Sequence, residues 1–526
     1  MSNRAAFKRI FSIILVVCLL VTALSGCKKG TGDTVLHVPI EYIPTCYDPQ
    51  IANENELATI LNNCLEGLVR INSEGNIERG VAESWSISED GLTYTFTLRQ
   101  NAKWRLPKSS AKILGEDFAE SFDARITAND FVFAMKRVLN PETGSPSIVA
   151  LAPISNVYAD SDYTLVIKLS EPSESFLTVL ASPACMPCNE AFFEATAGRY
   201  GLEPALFLSN GPYYLNQFSD ETGVSLKKND SYVGDHKAIA SSVKFALQET
   251  DGSLYDIKVV PRDKVDSVDT SIYKLEGYKN AVRAFCFNAK HDALSNQNVR
   301  LALAASTNIA NFSGDAAEGI VPSCCGLTAG ASYRANSNKV LGPQYDLSAA
   351  ANYVVAAEQE NLDENKKPVP LKLSATLVCL KSDETEIKTV LQDWQKTMGT
   401  RLAITLTTFD TQLELDKCIE SGNFDIAYTT ISVTEFISTD FLKRFTSGAI
   451  GNIINLNSEK YDSLFEAIYT ASNREELIQN SIAAEKYLMD QVYIIPTVTD
   501  DTKLAKTSAG SEIKARPSGT IYSFYN

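Results

Sequence analysis

Strand and helix patterns alternate along this chain with no repeat period and no low-complexity stretch, and that alternation restricts it to an α/β architecture. Tyr94, Phe96 and Leu98 alternate with threonines and Arg99, the two-residue period of a half-buried strand. Thr127-Ala128-Asn129-Asp130 predicts a helix start, because Asp130 stands three residues after a capping Thr127. Phe131, Met135, Val138 and Leu139 then share one face, and Asn140-Pro141 ends that helix. Ile387, Val390, Leu391, Trp394 and Met398 form a second helical stripe, closed by Gly399. A strand at Ile404/Leu406 follows, then a helix near Leu413–Ile419 and an apolar strand at Phe424–Tyr428. Tyr487 to Thr499 runs from a helix end into a strand over Val492–Ile495, with Pro496 near a sheet edge.

Composition narrows the function classes. The chain has 526 residues, 44% hydrophobic and 21% charged, an ordinary globular balance. At roughly 150 residues per domain it should fold as about three domains. Its net charge is −16; residues 1–26 hold Arg4, Lys8 and Arg9 and no acid, so their removal takes it to −19. A body this acidic repels phosphate backbones, which makes nucleic acid a poor partner. His37, His236 and His291 share no local spacing, so neither a histidine metal site nor histidine-dependent catalysis is expected, and no cofactor is expected either.

The N-terminus reads as an address. Three positive charges in Met1–Arg9 precede the apolar run Ile10–Leu24, which is too short to span a membrane and has the layout of a secretory signal. Leu24-Ser25-Gly26-Cys27 resembles the lipobox of bacterial lipoproteins. That resemblance implies cleavage after residue 26, lipidation of Cys27 with palmitate among the acyl chains, and a tether over 27–33. The mature chain of 500 residues would then stand on the extracytoplasmic face of a bacterial cell membrane. Nine further cysteines are an odd number for internal pairing, and their scatter reads as small buried residues.

Ordered motifs carry a broader resemblance. Asp48-Pro49-Gln50-Ile51, Leu65-Glu66-Gly67-Leu68-Val69 and Val81-Ala82-Glu83-Ser84-Trp85 come first, then Asp90–Arg99 and Ala102-Lys103-Trp104. Thr127–Phe131, Lys136–Leu139, Asp162-Tyr163-Thr164, Gly211-Pro212-Tyr213, Lys228–Tyr232, Phe287-Asn288, Asn298–Leu303 and Val492–Pro496 follow in series. In this order the motifs resemble the extracytoplasmic solute-binding lipoproteins of ABC importers, oligopeptide-binding type. The resemblance implies two α/β lobes around a ligand cleft, a periplasmic-binding-protein-like fold with an extra domain inserted in the first lobe. Lobe one would comprise 34–70, 206–280 and 488–526, the inserted domain 71–205, and lobe two 281–487. It implies a non-catalytic monomer that captures a peptide or other small solute and delivers it to ABC permease subunits.

The same resemblance implies the site, and its departures matter. An aspartate in a lobe-two loop usually meets the peptide ammonium; here Thr434 takes that place, with Glu435 beside it. Ile431 stands where an aromatic is expected, and Tyr428 where an arginine is. Asn53, Glu54 and Asn55 align with ligand-touching positions of lobe one, so Glu54 is a second candidate anchor. Tyr213 follows a glycine that either brings backbone beside the cleft or simply turns before the strand Tyr214–Phe218. Arg105–Arg125 replaces a short connection with a long polar stretch, expected to be a surface excursion.

Competing chemistry was weighed on residues. Cys185-Met186-Pro187-Cys188 has redox spacing but lacks the small βαβ context, so a structural disulfide or idle thiols is expected; Cys324-Cys325 should be free thiols. Ser109 and Lys112 fit S-x-x-K, a pattern that recurs at Ser225–Lys228 and Ser271–Lys274 without its partner motifs. A redox or hydrolytic lipoprotein using either pair is the alternative function, and a signalling receptor or chaperone shares the same features. Asp160 and Asp162 lack calcium-loop spacing and fit a turn; Asn288 and Arg300 fit structural braces.

Overall fold

The computed structural model describes residues 34–40, 42–51, 55–219, 223–247, 254–260, 262–328, 331–333, 342–363, 366–367, 369–433, 438–449 and 451–526. The signal segment, Cys27 and the tether lie outside them. In chain order the principal strands are β1 (Val35–Ile40), β2 (Ala82–Ile87), β3 (Thr93–Leu98), β4 (Ile154–Ser161), β5 (Thr164–Leu169), β6 (Tyr213–Ser219) and β7 (Gly223–Lys228). They continue as β8 (Ser242–Leu247), β9 (Ile257–Val260), β10 (Lys274–Phe287), β11 (Leu373–Leu380), β12 (Leu402–Phe409), β13 (Ile426–Ser432) and β14 (Ile494–Lys506). The helices used below are α1 (Asn55–Cys64), α2 (Ala128–Leu139), α3 (Gln297–Ala305), α4 (Leu347–Glu360) and α5 (Glu384–Met398). After them come α6 (Gln412–Glu420), α7 (Ser438–Lys443), α8 (Glu459–Tyr469) and α9 (Arg474–Asp490).

Three sheets organise the chain. The first has the order β1-β8-β7-β6, with β1 parallel to β8 and the other neighbours antiparallel. The second, β2-β3-β5-β4, is antiparallel throughout. One contiguous apolar core, with Leu36 and Val243 at one end and Phe96, Phe131 and Leu165 at the other, joins these two sheets. The third has the order β9-β14-β10-β13-β11-β12, with β11 parallel to both β12 and β13. It is covered on both faces. Ala284, Cys286 and Ala427 face a core with Tyr461 and Leu477 of α8 and α9. Phe285, Phe287 and Tyr428 face another with Val299 and Trp394 of α3 and α5. Burial on both faces explains the unbroken apolar run Ala284–Phe287, where a half-exposed strand would alternate.

Two long strands cross between the lobes. β10 and β14 pair from Lys274 and Lys506 to Cys286 and Ile494, with irregularities after Tyr278 and Arg283. β14 gives Leu504 to the first core and Ile494 and Ile495 to the second-lobe cores. A pair of strands shared in this way is the covalent hinge of a two-lobed protein.

Several expectations hold residue by residue. Thr127 and Asp130 form the reciprocal capping box of α2, with the Thr127 N–H donating to Asp130 Oδ2 at 2.7 Å. Ile387, Val390, Trp394 and Met398 are the buried stripe of α5, and Gly399 follows with φ 60°. Others shift. The strand expected at Phe424–Tyr428 is Ile426–Ser432, because β10 offers a partner to every residue up to Ser432. The strand expected from Val492 begins at Ile494: buried Val492 has φ 51°, a left-handed turn between α9 and β14. Pro496 sits opposite Ala284 at the register shift, where its missing N–H costs least. The 105–125 segment is stitched down at both ends by bridges Lys103–Arg125 and Arg105–Ser209. Phe118 and Phe122 meet buried Phe192 at steep ring angles, with centroids 6.3 and 6.2 Å away.

Candidate ligand cleft

β11, β12 and β13 run parallel to one another in the third sheet, and their C-terminal ends open on one cavity. Leu380, Asp410 and Ser432 mark the three strand ends, and the cavity volume is about 1530 Å³. Ligands of open α/β sheets bind outside the carboxyl ends of parallel strands, and this volume exceeds a small-molecule pocket. Asp500–Thr502 of crossing β14, Val260 at the end of β9 and Arg262 just after it complete the wall, with Gly448, Gly451, Asn452 and Asn455 on the far side. The cavity therefore touches elements from both ends of the hinge.

One wall is an unpaired strand edge. β13 pairs with β11 only at Ile426 and Ala427, whereas β10 accompanies it to Ser432. The Asn288 N–H donates to the Asp425 carbonyl and the Val433 N–H to the Asn280 carbonyl, both at 2.9 Å. With a two-residue period between these bonds, Thr429, Ile431 and Val433 turn their main chain to β10. Thr430 and Ser432 turn theirs to the open edge past the last pairing with β11 at Ala427, where no described strand meets them. Ile431 and Ser432 line the cavity itself.

Arg262 and Asp500 of the cavity wall belong to a network of paired charges. Asp383, at the start of α5, accepts from Arg262 at 2.7 Å and lies 3.4 Å from buried Arg283. Arg283 also lies 3.4 Å from Glu386 and 3.8 Å from Asp500, and donates to the Ser313 carbonyl at 2.7 Å. Burial pushes the Asp383 carboxyl up, and the two guanidiniums oppose that shift. Thr430 Oγ1 donates to Asp500 Oδ2 at 3.3 Å, tying the edge strand to β14. Lys290, Asp416, Glu420 and Arg444 line the cavity without an ion pair among the described residues. Asp416 accepts from Gln412 at 2.7 Å, and burial raises its pKa. Arg444 has no ion pair, and its buried Nε has no hydrogen-bond partner.

The expected site residues fall in different places. Ile431 is at the cavity. Tyr428 is fully buried on the opposite face of β13, stacked on Phe312 at 5.4 Å, with its hydroxyl 3.0 Å from Thr497 Oγ1. Tyr213 is fully buried in the first-lobe core; its hydroxyl donates to the Phe524 carbonyl at 2.8 Å and accepts from the Ala240 N–H at 3.1 Å. Gly211 before it turns against the end of α1, where a Cβ would stand 2.8 Å from the Asn63 carbonyl. Asn55 is the first residue of α1. Asn53, Glu54, Thr434 and Glu435 lie outside the described residues. Gln412, Asp416 and Arg444 were missed by sequence reasoning; the rule of parallel-strand ends would have directed attention to the Asp410–Gln412 turn.

The rival chemistries meet buried or solvated groups. Cys185 and Cys188 are free thiols sealed in the core, and burial pushes both up to about 12, far from a reactive thiolate. Cys324 and Cys325 are not joined in a disulfide. Ser109 and Lys112 are exposed, and the neighbouring Ser110 is buried and donates to the Ala205 carbonyl at 2.6 Å. Asp162 pairs with Arg125 at 3.2 Å, and no described His/Cys/Asp/Glu cluster has the makings of a metal site. Asn288 and Arg300 are braces: Asn288 donates to the Phe424 carbonyl at 2.9 Å, Arg300 to those of Gln491 and Leu294 at 2.8 and 2.6 Å.

Comparison with known proteins agrees with this geometry. The family model described as bacterial extracellular solute-binding proteins, family 5 middle, matches residues 76–452. The chain is similar to the dipeptide-binding protein DppE of Bacillus subtilis, 24% identical over 502 residues covering 89% of this chain and 87% of that one. It is also similar to the periplasmic murein peptide-binding protein MppA of Escherichia coli, 25% identical over 529 residues, 92% and 93% of the two chains. Among solved structures, Listeria monocytogenes OppA bound to peptide superposes with a TM-score of 0.64 at 20% identity, over 94% of this chain and 98% of that one. The fold is thus a two-lobed α/β periplasmic-binding-protein-like one with an extra domain.

Proposed function

This chain belongs to the bacterial extracellular solute-binding proteins, family 5, and from that premise we propose that it is a non-catalytic receptor that closes on an extended peptide and delivers it to an ABC permease. The observation that carries this reading is the open edge of β13 on a cavity of about 1530 Å³. A peptide laid along Thr430 and Ser432 adds a strand to the sheet. Main-chain hydrogen bonds supply affinity without regard to side chains, which the cavity accommodates. Closure about β10 and β14 removes water from those bonds and strengthens each of them. Relatives described as dipeptide-binding and murein peptide-binding support a peptide as the ligand.

In this reading 34–70, 206–280 and 488–526 form lobe one, 71–205 the inserted domain and 281–487 lobe two. Asn53, Glu54 and Asn55 approach the ligand from lobe one, and Ile431, Thr434 and Glu435 from lobe two. Tyr428 and Tyr213 shape the site from behind, as core residues. The ligand ammonium needs a carboxylate, and Glu435 or Glu54 supplies it. Removing one partner of a buried charge pair costs about 3–5 kcal/mol, more than a hundredfold in affinity. Calorimetry with a mixed peptide pool should therefore show at least one of Glu435→Gln and Glu54→Gln binding about a hundredfold more weakly than wild type. Unweakened binding by both variants would remove this anchor.

Export and anchoring complete the proposal. Signal cleavage after residue 26 and lipidation of Cys27 hold a monomer at the extracytoplasmic membrane face, with 27–33 as its tether.

A further inference from the structure

Arg444 differs from the other arginines around the cleft. Arg262 and Arg283 are each matched to Asp383, and the carboxylates there are shared among several donors. Arg444, one residue past α7, lines the same cavity and forms no ion pair with any described residue. Its Nε is sealed from solvent without a hydrogen-bond partner, and its guanidinium carbon sits 4.6 Å over the Phe441 ring. Phe441 is buried, so the ring fixes the guanidinium plane from one side. Burial without a counter-charge lowers the Arg444 pKa, the reverse of the shift at paired Arg262. A desolvated guanidinium with an unmet donor is unfavourable unless an anion completes it, and its planar fork matches a carboxylate with two parallel hydrogen bonds. Asp410, Asp416, Asp500 and Asp501 also line the cavity, a setting that accepts one negative charge on a ligand more readily than a phosphate's two.

We propose that Arg444 is the subsite for a ligand carboxylate, and that this receptor selects peptides bearing one at the end or side chain that reaches α7. The inference rests on the peptide-receptor reading and deepens it. Arg444 is a specificity residue, since the β13 edge reads only main chain. The carboxylate has two sources, the peptide C-terminus and an acidic side chain, and the probes separate them.

The experiment is calorimetric titration of the full mature chain with three sets of alanine peptides, two to six residues long. One set has free C-termini, the second is C-terminally amidated, and the third is amidated with glutamate as the last residue. Amidation should weaken binding to wild type about a hundredfold. Arg444→Gln should bind the free acids about a hundredfold more weakly than wild type and show no further loss on amidation. Arg444→Lys should fall between, because it keeps the charge and loses the fork. Recovery of affinity by the glutamate set assigns the subsite to side chains; no recovery assigns it to the C-terminus. Equal losses on amidation in wild type and Arg444→Gln, with both unfolding at the same temperature, would overturn the carboxylate subsite while leaving peptide binding intact. Failure of all three sets to bind wild type would overturn the peptide reading and this inference with it.

Discussion

Asp48, Glu66, Asp130 and Arg137 show what the ordered sequence motifs encode. Asp48 of Asp48-Pro49-Gln50-Ile51 holds Arg137 of Lys136–Leu139 at 2.6 and 3.1 Å, and Gln50 accepts from the same guanidinium at 2.7 Å. Glu66 of Leu65-Glu66-Gly67 lies buried between Arg70 and Arg99. Motifs distant in sequence are therefore partners in buried ion pairs. Such pairs are legible as patterns because losing one partner leaves an uncompensated charge. Arg137→Ala should cost about 3–5 kcal/mol, measured by chemical denaturation, whereas Arg125→Ala, at an exposed pair, should leave the denaturation midpoint almost unmoved. Asp130 gives a pH signature. Burial pushes its carboxyl up to about 6 despite hydrogen bonds from Thr127, Asn189 and Trp104. The folded state then holds a proton that the unfolded chain, with a pKa of about 3.9, releases earlier. That contribution is complete below pH ~4 and is lost as the pH rises through ~6. From pH 4 to 7 the wild type should lose on the order of 2 kcal/mol relative to Asp130→Asn, and parallel stability curves for the two would contradict this.

Secondary elements were most readable where one local rule decided them. The α2 capping box and the Gly399 terminator are cheap local signals, and both stand where the sequence predicts. β13 was misplaced because Thr429 and Thr430 interrupt its apolar run, while what extends it is a partner strand remote in sequence. The same strand carries the functional prediction. Ser432 is exposed and presents its N–H to the open edge, whereas Ile431 presents its own to β10. Ser432→Pro should fold, since proline is tolerated where no ladder bond is lost, and should bind peptides at least about tenfold more weakly. Ile431→Pro removes a ladder bond inside the sheet and should lower the unfolding midpoint sharply. If Ser432→Pro binds peptides as wild type does, the edge is not the recognition surface.

The whole molecule is two lobes held by β10 and β14, and this arrangement was reachable only through the resemblance. Composition and periodicity indicate α/β lobes, but no local pattern says that one strand supplies Leu504 to one core and Ile494 to another. The cavity charges were illegible for the same reason: Asp416, Arg444 and the β13 edge converge from separate segments. The proposed attachment at the membrane is tested at this scale too. Metabolic labelling with a fatty acid should mark the wild type and leave Cys27→Ala unlabelled and uncleaved; equal labelling of both would exclude lipidation at Cys27.

Capture of a peptide is the claim on which the rest depends, and native mass spectrometry of the mature chain incubated with a mixed peptide pool tests it most directly. One adduct per chain is expected, with masses of peptides from the pool. A spectrum that stays at the unliganded mass with peptides, and gains mass instead with a sugar or a metal chelate, would contradict it.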